Sequence, residues 1–209
     1  MIRNLKIAIT GHKQPERLGG SLHRYFKTHN TIRGYSKSDG WDVRYNTKEI
    51  IYDSADCDIF INNIAGVDLE KNIYGQVEIL KEWYEVHKGK NHVIVNISCI
   101  IPWLWYMQDF SNEKAKLPFD SLDKYSTNKA SWEINRKCDT AKSIDIAPGM
   151  MMNNAKSIHM LNRVQKTNAQ VKHSTMISCI EFAVDQYFQG NLIPYVVVAN
   201  TPFSYDEQE

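Results

Sequence analysis

The sequence predicts an α/β fold, a doubly wound parallel sheet in a single domain spanning 1–209. Two observations carry this expectation. Short, continuous apolar runs such as Val93-Ile94-Val95 and Tyr195-Val196-Val197-Val198 recur along the chain, and segments with helical apolar spacing separate them. A strand that is apolar without alternation is buried on both faces, which is the condition of a parallel sheet covered by helices.

Leu5-Lys6-Ile7-Ala8-Ile9-Thr10 is the first β-rich run; it ends at Gly11 and leads through a loop into a helical stretch around Leu18 to Thr28. Thr31 to Tyr35 reads as a second strand, Gly40-Trp41-Asp42-Val43 as a short third, and Asn46 to Ser54 as a brief helix. Asp58-Ile59-Phe60-Ile61 is a buried strand ending in Asn62-Asn63. Ile73, Val77, Leu80, Trp83 and Tyr84 give Asp68 to Lys88 the spacing of one long helix. His92 to Ile97 is the clearest central strand, bounded by Gly89 and Pro102. Leu122 to Cys138 reads as a helix, Ser143 to Ile146 as a strand stopped by Pro148-Gly149, and Thr175 to Phe188 as a helix before the closing strand Tyr195 to Val198.

Composition narrows the function classes. The 25 Lys and Arg against 24 Asp and Glu leave a formal charge of +1, so there is no overall basic field for nucleic acid. The most apolar segment, Val93 to Met107, is interrupted by Asn96, Ser98 and Pro102 and is too short for a bilayer. The start of the chain runs straight into its first apolar stretch without the h-region and cleavage site of a secretory leader. Four cysteines (57, 99, 138 and 179) form no C-x-x-C pair, which suits a reducing cytoplasm and gives no metal site.

In a doubly wound sheet the ligand lies at the carboxyl ends of the strands, so the residues at those ends are the candidates for chemistry. After the first strand come Thr10-Gly11 and, at the start of the helix, Leu18-Gly19-Gly20. Glycines there let backbone approach a pyrophosphate, and the helix N-terminus offers free N–H groups. The intervening loop holds His12, Lys13 and Arg17 as further phosphate contacts. After the second strand, a small residue followed by a cation, Ser36-Lys37, favours NADP over NAD, with Asp39 as the opposing acid. Asn62-Asn63-Ile64-Ala65-Gly66 leaves room for a cofactor, and its Asn side chains can tie neighbouring strands together.

Tyr125 and Lys129 stand four residues apart, so an ammonium can sit beside a phenol, favour phenolate and equip the tyrosine as a general acid/base. With 11 Tyr in 209 residues, Tyr-x-x-x-Lys is expected about once by chance, and Tyr84/Lys88 has the same spacing. Position decides between them. Tyr84/Lys88 lies before the central strand and reads as a half-buried Tyr with a solvated Lys, whereas Tyr125/Lys129 follows that strand, over the cleft.

Taken in order, Thr10-Gly11…Gly19, Asp42-Val43, Asn63 to Gly66, Asn72-Ile73-Tyr74-Gly75, Val95 to Ser98, Tyr125-x-x-x-Lys129 and Pro148-Gly149 resemble the short-chain dehydrogenase/reductase family over nearly the whole chain. The resemblance implies a Rossmann-type NAD(P)-binding domain, usually a homodimer or homotetramer paired through two long helices (here 69–88 and 122–138). It implies hydride transfer between nicotinamide and a small or medium carbonyl or alcohol. Tyr125 would exchange the proton with substrate oxygen. Lys129 would lower the Tyr125 pKa and bind the nicotinamide ribose, and Asn72 would hold a proton-relay water. Asp42 and Val43 would meet adenine, Asn63, Ala65 and Gly66 the adenosine ribose side, and Pro148, Gly149 and Met150 the nicotinamide end.

Three departures bear on activity. The glycine loop is lengthened, with Arg17 in the likely place of its middle glycine. Register puts Cys99 where the family's substrate-polarising serine stands, and a thiol is a weak donor; either Ser98 substitutes or activity is reduced. An insertion at about 100–121 carries Trp103, Trp105, Tyr106, Phe110 and Phe119, as an aromatic wall over the substrate or as a surface excursion. The competing class is a non-catalytic dinucleotide-binding protein, a redox sensor or scaffold. A nucleotide-sugar epimerase is disfavoured by the sixty residues that follow Gly149.

Overall fold

The computed structural model describes residues 2–64, 66–68, 70–71, 73–98, 142–148 and 171–198. The elements are β1 (Lys6–Thr10), α1 (Leu18–Phe26), β2 (Thr31–Tyr35), α2 (Thr47–Asp53), β3 (Ile59–Asn62), β4 (Val67–Asp68), β5 (Ile73–Tyr74), α3 (Gly75–Val86), β6 (Val93–Ile97), β7 (Ser143–Pro148), α4 (His173–Phe188) and β8 (Tyr195–Val198). Six strands form one sheet in the order β2-β1-β3-β6-β7-β8, with every neighbouring pair parallel.

Strand parity divides the core. Ile7 and Ile9, Ile59 and Ile61, and Val93, Val95 and Ile97 face one side, where Leu18, Leu22 and Phe26 of α1 and Met176, Ile180 and Val184 of α4 cover them. Ala8, Phe60 and Ile94 face the other, beneath Ile50 and Ile51 of α2 and Ile79, Leu80 and Trp83 of α3. Both faces are therefore dry, which is why β1, β3 and β6 read as unbroken apolar runs.

The expected third strand is not formed. Lys37–Asp39 is a turn of 3-10 helix closed by Gly40 at φ 85°, and the Trp41 N–H returns to the Ser36 carbonyl. The Asp42 carboxylate then accepts the Arg44 N–H at 3.0 Å, and the Tyr45 and Asn46 N–H groups bond the Asp42 carbonyl. An aspartate that serves its own following backbone in this way favours a turn over a ladder. Among the described residues, β2 is thus the sheet edge.

The expected helix 68–88 is also corrected. Its first part is a two-stranded antiparallel hairpin, β4–β5, and the helix starts at Gly75. Asp68 accepts the Lys71 N–H at 3.2 Å to begin the turn, and the Gly75 N–H bonds the Gly66 carbonyl at 2.8 Å to close the hairpin base. A Cβ on Gly75 would stand 2.8 Å from that same carbonyl oxygen, so the closure requires glycine. The expected helix over 122–138 and the insertion at 100–121 lie outside the described residues.

Candidate functional site

The chain runs from β1 outward to β2, then crosses back to place β3 on the other side of β1. This reversal opens a crevice at the carboxyl ends of β1 and β3, the place where open α/β sheets bind ligands. Thr10 and Asn62 end the two strands, and both are fully buried. The Thr10 hydroxyl accepts the backbone N–H of Asn63 at 2.9 Å and of Ile64 at 3.2 Å, while Asn63 Nδ2 donates to the Thr10 carbonyl at 3.3 Å. Two loops separated by 53 residues in sequence are thereby joined at the floor of the crevice.

Gly11 turns the chain out of β1 with φ 75°, and its N–H bonds the Tyr35 carbonyl at 2.7 Å. Gly19, in the first turn of α1, lies against it: a Cβ there would stand 2.3 Å from the Gly11 oxygen and 2.7 Å from Asn63 Nδ2. The N-terminus of α1 is thus held tightly against the ends of β1 and β3. Its N-cap Arg17 is extended and makes no side-chain cap, and no acid occupies the first turn. The leading N–H groups and the positive pole of the helix dipole are left for a ligand. Leu18 is buried beside them.

The wall toward β2 is charged. The His12 ring lies over Gly34, where a Cβ would stand 2.5 Å from Nδ1. His12 Nε2 is 3.5 Å from one Asp39 oxygen, and Lys13 Nζ is 2.8 Å from the other. The His23 ring is 5.1 Å from that of His12; burial, then the neighbouring His12, depresses the His23 pKa. Ser36 is buried, with its hydroxyl 3.0 Å from that of Ser38, and the Lys37 ammonium is mostly exposed at 4.0 Å from Asp42. Arg44 grips Asp42 through Nε at 2.9 Å and Nη2 at 2.5 Å, and these hydrogen bonds hold the Asp42 carboxyl below its usual range. Val43 is buried, and a Cβ on Gly66, at φ 54°, would stand 2.2 Å from Val43 Cγ2.

The structure therefore gathers Gly11, Gly19 and Asn63 at the floor, His12 and Lys13 with the turn after β2, and Val43 with Gly66 beyond it. Ser98 follows β6 and is buried, its N–H bonded to the Ile146 carbonyl at 2.9 Å. Pro148 ends β7, also buried. Ala65, Asn72, Cys99, Tyr125, Lys129, Gly149 and Met150 lie outside the described residues. Beside the position of Asn72, Ile73–Tyr74 form β5, and α3 begins at Gly75. Lys88 is exposed beside Glu85, as its position predicted, whereas Tyr84 is buried rather than half-buried, its hydroxyl donating to Ser143 Oγ in the core at 2.9 Å.

The expectation that the Asn side chains at the end of β3 tie neighbouring strands is met by Asn62, which bonds Asn96 across β3 and β6, but sequence reading missed Gln76 and the buried amide cluster it completes under the crevice. Asn62 Nδ2 donates to the Gln76 carbonyl at 2.9 Å and to Asn96 Oδ1 at 3.0 Å. Gln76 Nε2 donates to the carbonyls of Asn62 at 2.8 Å and Ile97 at 3.0 Å, pinning α3 to the ends of β3 and β6. Gln76 occupies a core position of the α3 periodicity, and that polar intrusion was the available signal. Gly34 inside β2, a mark of close approach, was another.

No protein-family model and no curated sequence matches this chain. Solved structures do. A short-chain dehydrogenase from Burkholderia cenocepacia in complex with NADP is 15% identical, with a TM-score of 0.62 over 94% of this chain and 88% of that one. An alcohol dehydrogenase from the archaeon Thermococcus sibiricus complexed with 5-hydroxy-NADP is 10% identical, with a TM-score of 0.60 over 98% and 100%. A dTDP-4-dehydrorhamnose reductase from Clostridium acetobutylicum is 15% identical, with a TM-score of 0.58 over 92% of this chain but 72% of that one. With its parallel sheet, switch-point crevice and glycine contact, the chain has the fold of the short-chain dehydrogenases/reductases.

Proposed function

We propose that this chain is an NADP-preferring oxidoreductase of the short-chain dehydrogenase/reductase type, acting on a small or medium carbonyl or alcohol as a cytoplasmic homodimer or homotetramer. The observation that carries the reading is the Gly11–Gly19 contact at the switch point, where a Cβ on Gly19 would strike the Gly11 carbonyl and one on Gly11 would strike Ile64, so that backbone packs directly on backbone beside a helix N-terminus with no side-chain cap. A close-packed glycine turn leading into a helix N-terminus is the setting that fits a dinucleotide pyrophosphate. NADP-bound short-chain dehydrogenases of this fold support the choice of cofactor.

When bound, the dinucleotide supplies hydride chemistry at its nicotinamide. The leading N–H groups of α1 hold the pyrophosphate, and Arg17 stands at the same helix end. Ser36, Lys37, His12 and Lys13 face the adenosine ribose. Asp42, Val43, Asn63, Ala65 and Gly66 flank adenine and its sugar, with Pro148, Gly149 and Met150 at the nicotinamide end. Tyr125 exchanges a proton with the substrate oxygen, Lys129 favours its phenolate, and Asn72 positions a relay water. Ser98 or Cys99 donates to the same substrate oxygen.

Titration of the purified protein with NADPH and NADH, read by the fluorescence of its five tryptophans, tests cofactor binding. Saturable binding that favours NADPH, with turnover of a carbonyl abolished in Tyr125→Phe, is expected. Turnover unaffected by Tyr125→Phe would sink the assigned chemistry. Binding without turnover across a broad carbonyl panel would mark a non-catalytic dinucleotide-binding protein instead.

A further inference from the structure

The near-neutral total charge hides an uneven distribution. Of the chain's 25 cations and 24 acids, residues 1–33 hold seven cations and one acid, Glu16, which leaves 18 cations and 23 acids for the rest. Arg17, Arg24 and Lys27 stand at the N-cap, in the last turn and at the C-cap of α1. Spacings of seven and three residues bring them within about 80° of one another around the helix and string them over about 15 Å of its axis. All three are exposed, and none joins an ion pair among the described residues. Arg24 Nη2 instead donates to the Pro15 carbonyl at 2.8 Å and to Ser21 Oγ at 3.2 Å, which holds its guanidinium in place on the surface.

At Lys27 the stripe runs into an open cavity of about 680 Å³, whose lining includes Arg3, Lys6, Lys27 and His29. Its walls are fixed. Asn30 accepts the Leu5 N–H at 3.1 Å and donates to the carbonyls of Ile2 at 3.2 Å and Phe26 at 3.0 Å, while the Asn4 N–H bonds the His29 carbonyl at 2.9 Å. Tyr25 flanks the stripe, 37% exposed, and donates its hydroxyl to Glu181 of α4 at 2.9 Å. The next residue of α4, Phe182, is 58% exposed. The acids bordering this face are engaged: Glu181 by Tyr25 and the Ile2 N–H, and Asp56 by Lys6 and Arg33. Cations in a last turn serve the helix dipole. That accounts for Arg24 and Lys27 singly, but not for a stripe that starts at Arg17 and continues into a basic cavity.

We propose that the outer face of α1 and the cavity at its end bind the backbone of single-stranded nucleic acid, at a surface separate from the dinucleotide crevice. Arg and Lys in a row make charge-assisted hydrogen bonds to successive phosphates, and exposed rings beside them stack the bases of a flexible strand. A lipid surface is flat and asks for an apolar helix face, whereas these cations lead into a polar concavity. An acidic peptide matches the charge but leaves the rings unused.

The test is the fluorescence anisotropy of a labelled oligouridylate of about 20 nucleotides, titrated with the full chain from low to physiological salt. One phosphate contact for each of the three cations predicts that log Kd rises with log salt concentration at a slope of about 2. Arg24→Gln combined with Lys27→Gln is expected to lower the slope to about 0.7 and to weaken binding about tenfold at low salt. Lys27→Gln alone, at an exposed position, should lower the slope by about 0.7, and Lys27→Arg should bind as the parent does. Tyr25→Ala should weaken binding about fivefold without changing the slope. A thermal melt checks the folding of each variant, and NADPH affinity should be the same in the parent and the double variant. No saturable binding by the parent at low salt overturns the proposal. So does a slope that neither the double variant nor Lys27→Gln lowers, or displacement of the strand by NADPH, which would put it in the crevice. Polyglutamate or phosphatidylserine vesicles bound as tightly as the oligonucleotide, with the same response to the variants, would overturn it in favour of an acidic peptide or a membrane. Failure of NADPH to bind while the oligonucleotide does would sink the dinucleotide reading and leave this one standing.

Discussion

Gly19→Ala tests the contact on which the candidate site is built. The new methyl would lie 2.3 Å from the Gly11 carbonyl oxygen and 2.7 Å from Asn63 Nδ2, where ordinary contact begins at 3.4 Å. The carbonyl cannot swing aside, because Gly11 is fixed by its N–H bond to Tyr35 and by the Thr10 clamp on Asn63 and Ile64. Relief therefore requires α1 to back away by roughly 1 Å, against the close packing of Leu18, Leu22 and Phe26 on the sheet. Overpacking of this kind costs about 1–3 kcal/mol, offset by at most about 1 kcal/mol from the better helix propensity of alanine. The expected net loss is about 1–2 kcal/mol, a fall in Tm of about 2–8 °C for a chain of this size. The same displacement withdraws the helix N-terminus from the crevice, so NADPH should bind about tenfold more weakly or worse. A thermal melt and a fluorescence titration on one preparation measure both. A variant as stable as the parent, with unchanged NADPH affinity, would refute the claim that this contact sets the helix–strand distance.

Two further outcomes follow from buried groups. Thr10→Val keeps the shape but removes the acceptor of the Asn63 and Ile64 N–H groups, and should cost about 1–3 kcal/mol in urea denaturation; Thr10→Ser, which restores the oxygen, should recover most of it, and equal losses in the two variants would argue against the clamp. His87 is buried, stacked on Trp83 at 4.6 Å, with Nδ1–H donating to the Trp83 carbonyl, and burial pushes its pKa down to about 4. The unfolded chain takes up this proton near pH 6.5 and the native protein does not until about pH 4, so stability should decline as pH falls through that interval, by about 3 kcal/mol in all. His87→Gln should flatten this part of the stability–pH curve, and a curve as steep as the parent's would assign the acid sensitivity to other groups.

Much of the framework was legible because burial on two faces leaves a direct trace. β1, β3 and β6 read as apolar runs and lie within a residue of their expected bounds, and the edge strands β2 and β8 match theirs. The site was legible where it depends on residue type: Gly11, Gly19 and Asn63 converge because close backbone approach excludes larger side chains. Two elements misled. Gly40-Trp41-Asp42-Val43 has strand-forming residues, but Asp42 spends its carboxylate on Arg44 and its carbonyl on Tyr45 and Asn46, so a turn wins. Ile73 keeps helical spacing with Val77, yet Gly75 must meet Gly66 backbone to backbone, and that contact delays the start of the helix until after Tyr74.

By itself, then, the sequence determined the layered α/β class, the alternation of strands and helices, and the glycines at the first strand end, since all of these are local consequences of hydrophobic period and steric size. Tertiary structure alone decided that β2 forms the edge of the described sheet and that a hairpin precedes α3. It also decided that Asp39 pairs with Lys13 across the crevice, and that Asn62, Gln76 and Asn96 bond beneath it. The ion pair and the amide bonds join residues 14 to 34 positions apart and depend on which of several polar partners comes within bonding distance. Hydrogen-bond and ion-pair choices of that kind are settled by packing geometry, which residue type and spacing do not encode.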